Sequence, residues 1–270
     1  MIKYTPEGTR SHLHFSGMAT LINQTPAHYA AEKFLKVRQK DSDSLKFGRE
    51  FHHLLLECDA LEKEAYFAKF WQMPDGLTLR SKKGKEWASN HDMAFRLTPA
   101  YSRMLANIKG MLTSCESSQV VQSFLRSPKD LKELALEWFD PNLGIYCAGR
   151  ADLISKDDNG RYRIVDFKTT ADCNLPMFYH SVKKYWYHVQ AAMYRDGLMY
   201  QLGLDYSPDY TIVAIEKKPP FALRVYHLSD DILNDGYQLY MTAAECYAKC
   251  LKSGLWPSYN DTPITLYNNL

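Results

Sequence analysis

The sequence predicts an α/β fold. A meander of three strands, 134–139, 145–154 and 162–167, occupies the middle of the chain, with turn residues at each bend. A strongly apolar strand, 209–216, follows a long helical stretch at 177–202. Segments with apolar residues at helical spacing fill the first half of the chain and return at 230–253.

Each element has a local reason. Helices are expected from Phe15, with Ser16 as a cap, and from Pro26, with Thr25 as cap and proline at the first helical position. Over 44–58, Phe47, Phe51, Leu54 and Leu55 recur at helical spacing and should face the core, with Gly48 one turn before His52. His52 and His53 are adjacent and cannot face the same way. A helix at 61–69 and helices at 94–110 and 115–125 follow. Strand 134–139 carries Glu137 and ends at Asp140-Pro141-Asn142-Leu143-Gly144. Asp157, Asp158, Asn159 and Gly160 form the next turn, since Asn-Gly favours the positive φ of tight hairpins. Trp186, Gln190 and Tyr194 recur every fourth residue along 177–202 and form one stripe. Strand 222–228 forms a hairpin with 209–216, and Ser229 caps the last helix. Residues 1–10 read as an extended lead and 256–270 as an irregular tail.

The 270 residues suffice for one large domain. With 46% hydrophobic and 24% charged residues the chain is ordinary for a globular protein and unlike a disordered one. A net charge of only +2 means that any nucleic-acid surface must be a local concentration of cations. The six cysteines are scattered without a CxxC pair, and Cys246 and Cys250 sit at helical spacing. Neither a signal peptide nor a bilayer-length apolar run is visible. A reduced, cytoplasmic chain with no membrane partner is therefore expected.

The chemistry concentrates on the hairpin. Side chains alternate along a strand, so Asp166 and Lys168 share one face while Val165 and Phe167 share the other, and Asp152 approaches from the partner strand. Asp-x-Lys alone is often a solvated ion pair of small worth. Two carboxylates joined by an ammonium, however, suit a hard divalent cation such as Mg²⁺ or Mn²⁺ and metal-assisted phosphodiester hydrolysis. Arg80, Lys82, Lys83 and Lys85 cluster around Gly84; such runs are usually solvated, but in a chain of low net charge they are the best single candidate for a phosphate-contacting loop.

In order, these motifs are Gly-x-x-x-His (Gly48, His52), Glu137, Gly-Arg-x-Asp (149–152), Asp-x-Lys (166–168) and Gln-x-x-x-Tyr (190–194). From about residue 15 to 256 this order resembles the PD-(D/E)XK nucleases, specifically the exonuclease VIII (RecE-type) branch related to lambda exonuclease and RecB-type nuclease domains. The resemblance implies a restriction-endonuclease-like core: a mixed central β-sheet flanked by helices. One domain would span 1–270, with a helical part at 11–125 and the nuclease core at 130–255. It assigns Asp152, Asp166, His52 and the Phe167 carbonyl to the metal, Lys168 to catalysis, and Glu137 to the acidic position on the preceding strand. Gln190, Tyr194, Arg150 and the basic segment Arg80, Lys82, Lys83 and Lys85 are assigned to DNA. The implied cofactor is Mg²⁺, with Mn²⁺ as substitute. Iron–sulfur relatives place one cysteine early and a cluster late; that arrangement is missing here, so no cluster is expected. The implied activity is 5′-to-3′ degradation of one strand at double-stranded DNA ends, leaving 3′ overhangs. It implies a ring-shaped homo-oligomer working with a RecT-type single-strand annealing protein. Two alternatives are an endonuclease of the same fold and a non-catalytic DNA-binding module; intact Asp152, Asp166 and Lys168 argue against the latter.

Overall fold

A computed structural model describes residues 2–3, 11–35, 42–71, 76–91, 97–260 and 262. The first half carries strands β1 (Ile2–Lys3) and β2 (His12–His14) and helices α1 (Phe15–Asn23), α2 (Pro26–Lys33), α3 (Asp43–His52), α4 (Ala60–Ala68), α5 (Lys82–Ser89), α6 (Pro99–Ser117) and α7 (Gln119–Leu125). The second half carries β3 (Lys132–Asp140), β4 (Ile145–Lys156), β5 (Tyr162–Thr170), α8 (Leu175–Lys184), α9 (Tyr187–Leu202), β6 (Asp209–Glu216), β7 (Leu223–His227), α10 (Asp230–Ser253) and β8 (Leu255–Trp256).

The six-stranded sheet runs β2-β4-β5-β6-β7, with β3 on the other edge of β4. β3–β4, β4–β5 and β6–β7 are antiparallel, whereas β2–β4 and β5–β6 are parallel. It is the mixed sheet the resemblance implies. Strand alternation divides the core between its faces. Leu153, Val165, Phe167, Val213 and Ile215 pack with Phe47, Phe51, Ile108 and Phe124 of the early helices. Ile154, Ile164, Ile212 and Ala214 pack on the opposite side with Val189, Met193, Tyr240 and Tyr247 of the late helices. Asp152, Asp166 and Lys168 are even-numbered members of their strands, like Ile154 and Ile164, so they face α8 and α9.

Four sequence expectations change. The helical part expected over 11–125 also contains β2, which enters the main sheet beside β4. The lead and the tail meet, β1 pairing antiparallel with β8; residues 1, 4–10, 261 and 263–270 of those two segments lie outside the described residues. The helix expected from 94 begins at Pro99, with 94–96 likewise outside the description. The single helix expected over 177–202 is two, because Trp186 has left-handed backbone angles (φ 59°, ψ 32°) between α8 and α9. That conformation costs a non-glycine residue about 1–2 kcal/mol. Tertiary contacts hold it: the Trp186 indole N–H donates to Asn23 Oδ1 at 3.0 Å, and the ring stacks on His188. Among the described residues no helix is long and apolar enough to cross a membrane.

α9 and α10 approach closely at Gly236. A Cβ there would lie 2.1 Å from the His188 carbonyl oxygen, a backbone atom that cannot rotate away. Gly236→Ala should therefore cost about 1–3 kcal/mol, the usual scale of overpacking. The measurement is the urea midpoint; an unchanged midpoint would contradict this helix apposition.

Candidate active site

Three carboxylates occupy consecutive register positions across three strands. Lys132 pairs with Leu153 and Leu134 with Ala151, which places Glu133 opposite Asp152. Leu153 pairs with Val165 at the last rung between β4 and β5, which places Asp152 opposite Asp166. Directly opposed side chains lie on one face about 5 Å apart, and like charges there repel. The row persists because each carboxylate has its own donor.

Asp152 Oδ2 accepts a hydrogen bond from the Phe167 backbone N–H at 2.8 Å. The carboxylate thus replaces a strand carbonyl where the two strands part. Phe167 O and His52 Nε2 lie 2.7 Å apart, and a carbonyl only accepts, so Nε2 carries the proton. His52 Nδ1 is then turned towards Asp152 Oδ2 at 3.6 Å. His52 arrives there because α3 ends at it and the chain passes into a π-helical turn, His53–Glu57, which buries Leu54, Leu55 and Leu56 together. Glu133 Oε2 pairs with Arg150 Nε at 2.7 Å. Burial first, and Asp152 next, raise the Glu133 pKa, while Arg150 and His52 pull it back.

Asp166 is 1% exposed. Lys168 Nζ lies 2.8 Å from its Oδ2 and 2.9 Å from its Oδ1, but aligns as a hydrogen-bond donor only to Oδ1. Burial pushes the Asp166 carboxyl up to about 6, against the pull of Lys168 and with the help of Asp152. Burial also works against the Lys168 ammonium, but Asp166, Asp152 and Tyr187 outweigh it and hold its pKa above the ordinary lysine value. At neutral pH the raised Lys168 is charged, and Asp166, at about 6, is ionised beside it although its shift favours the neutral acid. The Tyr187 ring lies 4.9 Å from Lys168 Nζ and covers the ammonium from the side of α9.

The row opens into a cleft of about 990 Å³ lined by His52, Glu133, Arg150, Asp152, Lys168, Gln190 and Tyr194, among others. Tyr194 reaches it over Gly149, where a Cβ would sit 2.5 Å from the ring. Gly-Arg-x-Asp and Gln-x-x-x-Tyr are thus two halves of one contact.

The other sequence candidates fall elsewhere. Glu137 does not join the row: it pairs in register with Ala148, its carboxylate bonds His12 Nε2 at 3.0 Å, and the side chain is exposed. It lies four positions from Glu133, about 13 Å along an extended chain. On this strand it is Glu133 that lies beside Asp152 and His52. The signal that finds it is the register, together with its positive φ of 50°, which a sequence alone does not display. The Phe167 carbonyl is engaged by His52 and orients that ring. Arg80, Lys82, Lys83 and Lys85 lie just before and within α5, all exposed, and none lines the cleft. Gly48 lines the cleft, but a Cβ there would meet only Thr169 Oγ1 at 3.9 Å, so no backbone crowds it.

The residues present fit a divalent cation. Donor atoms of His52, Glu133 and Asp152 lie within 4.8 Å of one another. They combine hard carboxylate oxygens with one imidazole nitrogen, a set suited to a divalent metal ion. The His52 N–H donated to a backbone carbonyl is the usual support of a metal-binding histidine, leaving Nδ1 for the ion.

The family model described as "PDDEXK-like domain of unknown function (DUF3799)" matches residues 15–262. No curated protein matches the sequence. A crystal structure from Eubacterium rectale, described provisionally as an exonuclease, superposes with a TM-score of 0.63 at 12% identity, covering 94% of this chain and 91% of that one. At that identity the likeness shows the fold. A second crystal structure, of SSO0001, reaches a TM-score of only 0.34 at 15% identity, over 88% of this chain and 77% of that one, and bears on nothing here.

The geometry separates two glutamates that the sequence does not. Glu133→Gln should weaken Mn²⁺ binding about tenfold or more, a scale reached even by outer partners of metal ligands. Glu137→Gln should leave it unchanged. Titration calorimetry measures both, and the reverse ranking would contradict the assignment.

Proposed function

Because the chain belongs to the PDDEXK-like domain family DUF3799, and because its three-carboxylate row ends on a half-buried lysine in an open cleft, we propose that it is a divalent-metal-dependent nuclease. The observation that carries this reading is the row Glu133–Asp152–Asp166 with Lys168 fixed beside it. A bound Mg²⁺ would supply Lewis-acid polarisation of the phosphodiester and a more acidic bound water. Asp152 and Glu133 would hold the ion, with His52 presenting Nδ1. Asp166 keeps Lys168 charged and in place. With its pKa raised, Lys168 acts at neutral pH as a cation rather than a base: it orients the attacking water and stabilises charge developing on the phosphate oxygens. Gln190 and Tyr194, on the facing wall, position the phosphate next to the cut.

The more specific form of the proposal is a Mg²⁺-dependent exonuclease acting 5′ to 3′ on double-stranded DNA ends. It is supported by the motif order from Gly48 to Tyr194, which resembles the RecE-type branch. A ring-shaped homo-oligomer and a RecT-type annealing partner belong to the same reading.

Linear duplexes labelled at either terminus, with 5′-phosphate or 5′-hydroxyl ends, and a closed circular duplex test the proposal together. Mg²⁺-dependent release of 5′-terminal nucleotides, with the circle intact, is the expected result; cutting of the circle would replace exonuclease by endonuclease. Asp152→Asn keeps an acceptor for the Phe167 N–H and should fold. Its kcat/KM should fall about 10³-fold, each decade being 1.36 kcal/mol of transition-state stabilisation. Near-normal turnover by that variant would overturn the site.

A further inference from the structure

Beyond the carboxylates the cleft continues into a second groove of about 510 Å³, sharing His53, Glu57 and Glu133 with it. Lys69, Lys129 and Lys132 line this groove. Among the described residues none of the three lysines makes an ion pair or a cation–π contact. Three carboxylates line the groove as well, and one of them, Glu133, is matched by a permanent cation. Glu57 pairs with His53 at 3.4 Å, Glu62 accepts from the Asp59 backbone N–H at 2.8 Å, and Glu133 pairs with Arg150. Lys132 is held below its ordinary pKa by burial first and by Lys63 and Lys129 next. Lys129 and Lys132 are therefore close enough to repel one another. With Glu133 paired to Arg150, the three lysines outnumber the two remaining carboxylates of the groove, Glu57 and Glu62, and this excess of ammonium groups beside the proposed cleavage site suits an anionic chain.

We propose that this groove is a phosphate-tracking subsite, in which Lys69, Lys129 and Lys132 hold backbone phosphates of the strand being cut, one or more nucleotides from the scissile bond. Its catalytic meaning rests on the nuclease reading above; its binding does not. The strand would run from the groove past Glu133 to Lys168. Contacts to backbone phosphates carry no sequence information, so this binding is independent of sequence.

The test is binding of a labelled short single strand in metal-free buffer, titrated against salt, with cleavage in Mg²⁺ measured alongside. In the triple variant Lys69→Gln, Lys129→Gln, Lys132→Gln, the slope of log affinity against log salt should flatten by about 0.7 per lost contact. Affinity at low salt should drop about tenfold or more, and cleavage should lose in KM rather than kcat. Triple substitution to arginine should restore the slope. The control Lys249→Gln, Lys252→Gln on α10 should leave it alone. An unchanged slope in the triple glutamine variant, an equal loss in the control, or failure of arginine to restore binding would each overturn the subsite. If that happens while the wild type cleaves DNA, the nuclease reading survives. If lysine-dependent binding is found but no Mg²⁺- or Mn²⁺-dependent cleavage, the subsite stands and the nuclease reading falls. A wild type that neither binds nor cleaves overturns both.

Discussion

The ladder between β4 and β5 ends at Leu153 and Val165, and the next hydrogen bond between the strands is made by a side chain, from the Phe167 N–H to Asp152 Oδ2. A carboxylate in place of a carbonyl ends the backbone pairing without leaving a buried N–H unsatisfied, a loss that would cost about 1–3 kcal/mol. Along its other edge β5 pairs with β6 from Arg163 to Thr170, while the other part of the same edge of β4 is taken by β2 at 146–148. The space between is the cleft. Everything chemical lies around this one departure from regular pairing: Asp152 makes it, the Phe167 carbonyl that follows fixes His52, and Asp166 and Lys168 stand just past it.

A row of three carboxylates is unfavourable by itself, and the surrounding structure consists largely of its compensation. Lys168 answers Asp166, Arg150 answers Glu133, and the Phe167 amide answers Asp152. Asp166 is buried and Lys168 half-buried, so their attraction is largely offset by desolvation, and removing Lys168 would strand a buried carboxylate. Such a pair is better explained by what it positions than by what it adds to stability. Helix α9 completes the enclosure, with Tyr187 over the ammonium and Tyr194 over Gly149. That placement depends on the break at Trp186, which sets the direction of α9 independently of α8.

Much of this was legible in the sequence where local chemistry decides. The Asp157–Gly160 turn needs no tertiary help: Gly160 takes a φ of 78°, and Asp157 Oδ1 accepts from the Asn159 and Arg161 amides. Strand alternation alone put Asp166 and Lys168 on one face. Phe47, Phe51, Leu54 and Leu55 are buried as helical spacing requires. What stayed illegible depends on partners distant in sequence. Glu133 and Glu137 share strand parity, so alternation cannot separate them; only the register with β4 brings Glu133, rather than Glu137, opposite Asp152. The left-handed Trp186 is held by Asn23, which lies 163 residues away, and no local propensity announces it. The use of the Phe167 carbonyl by His52 likewise appears only when α3 is seen against β5.

The central claim is that this cluster binds a divalent cation through its own carboxylates. Crystals grown with Mn²⁺, measured at a wavelength where manganese scatters anomalously, test it most directly. The account predicts an anomalous peak within bonding distance of Asp152 and Glu133 and next to His52. Full-occupancy manganese elsewhere, with this cluster empty, would contradict it.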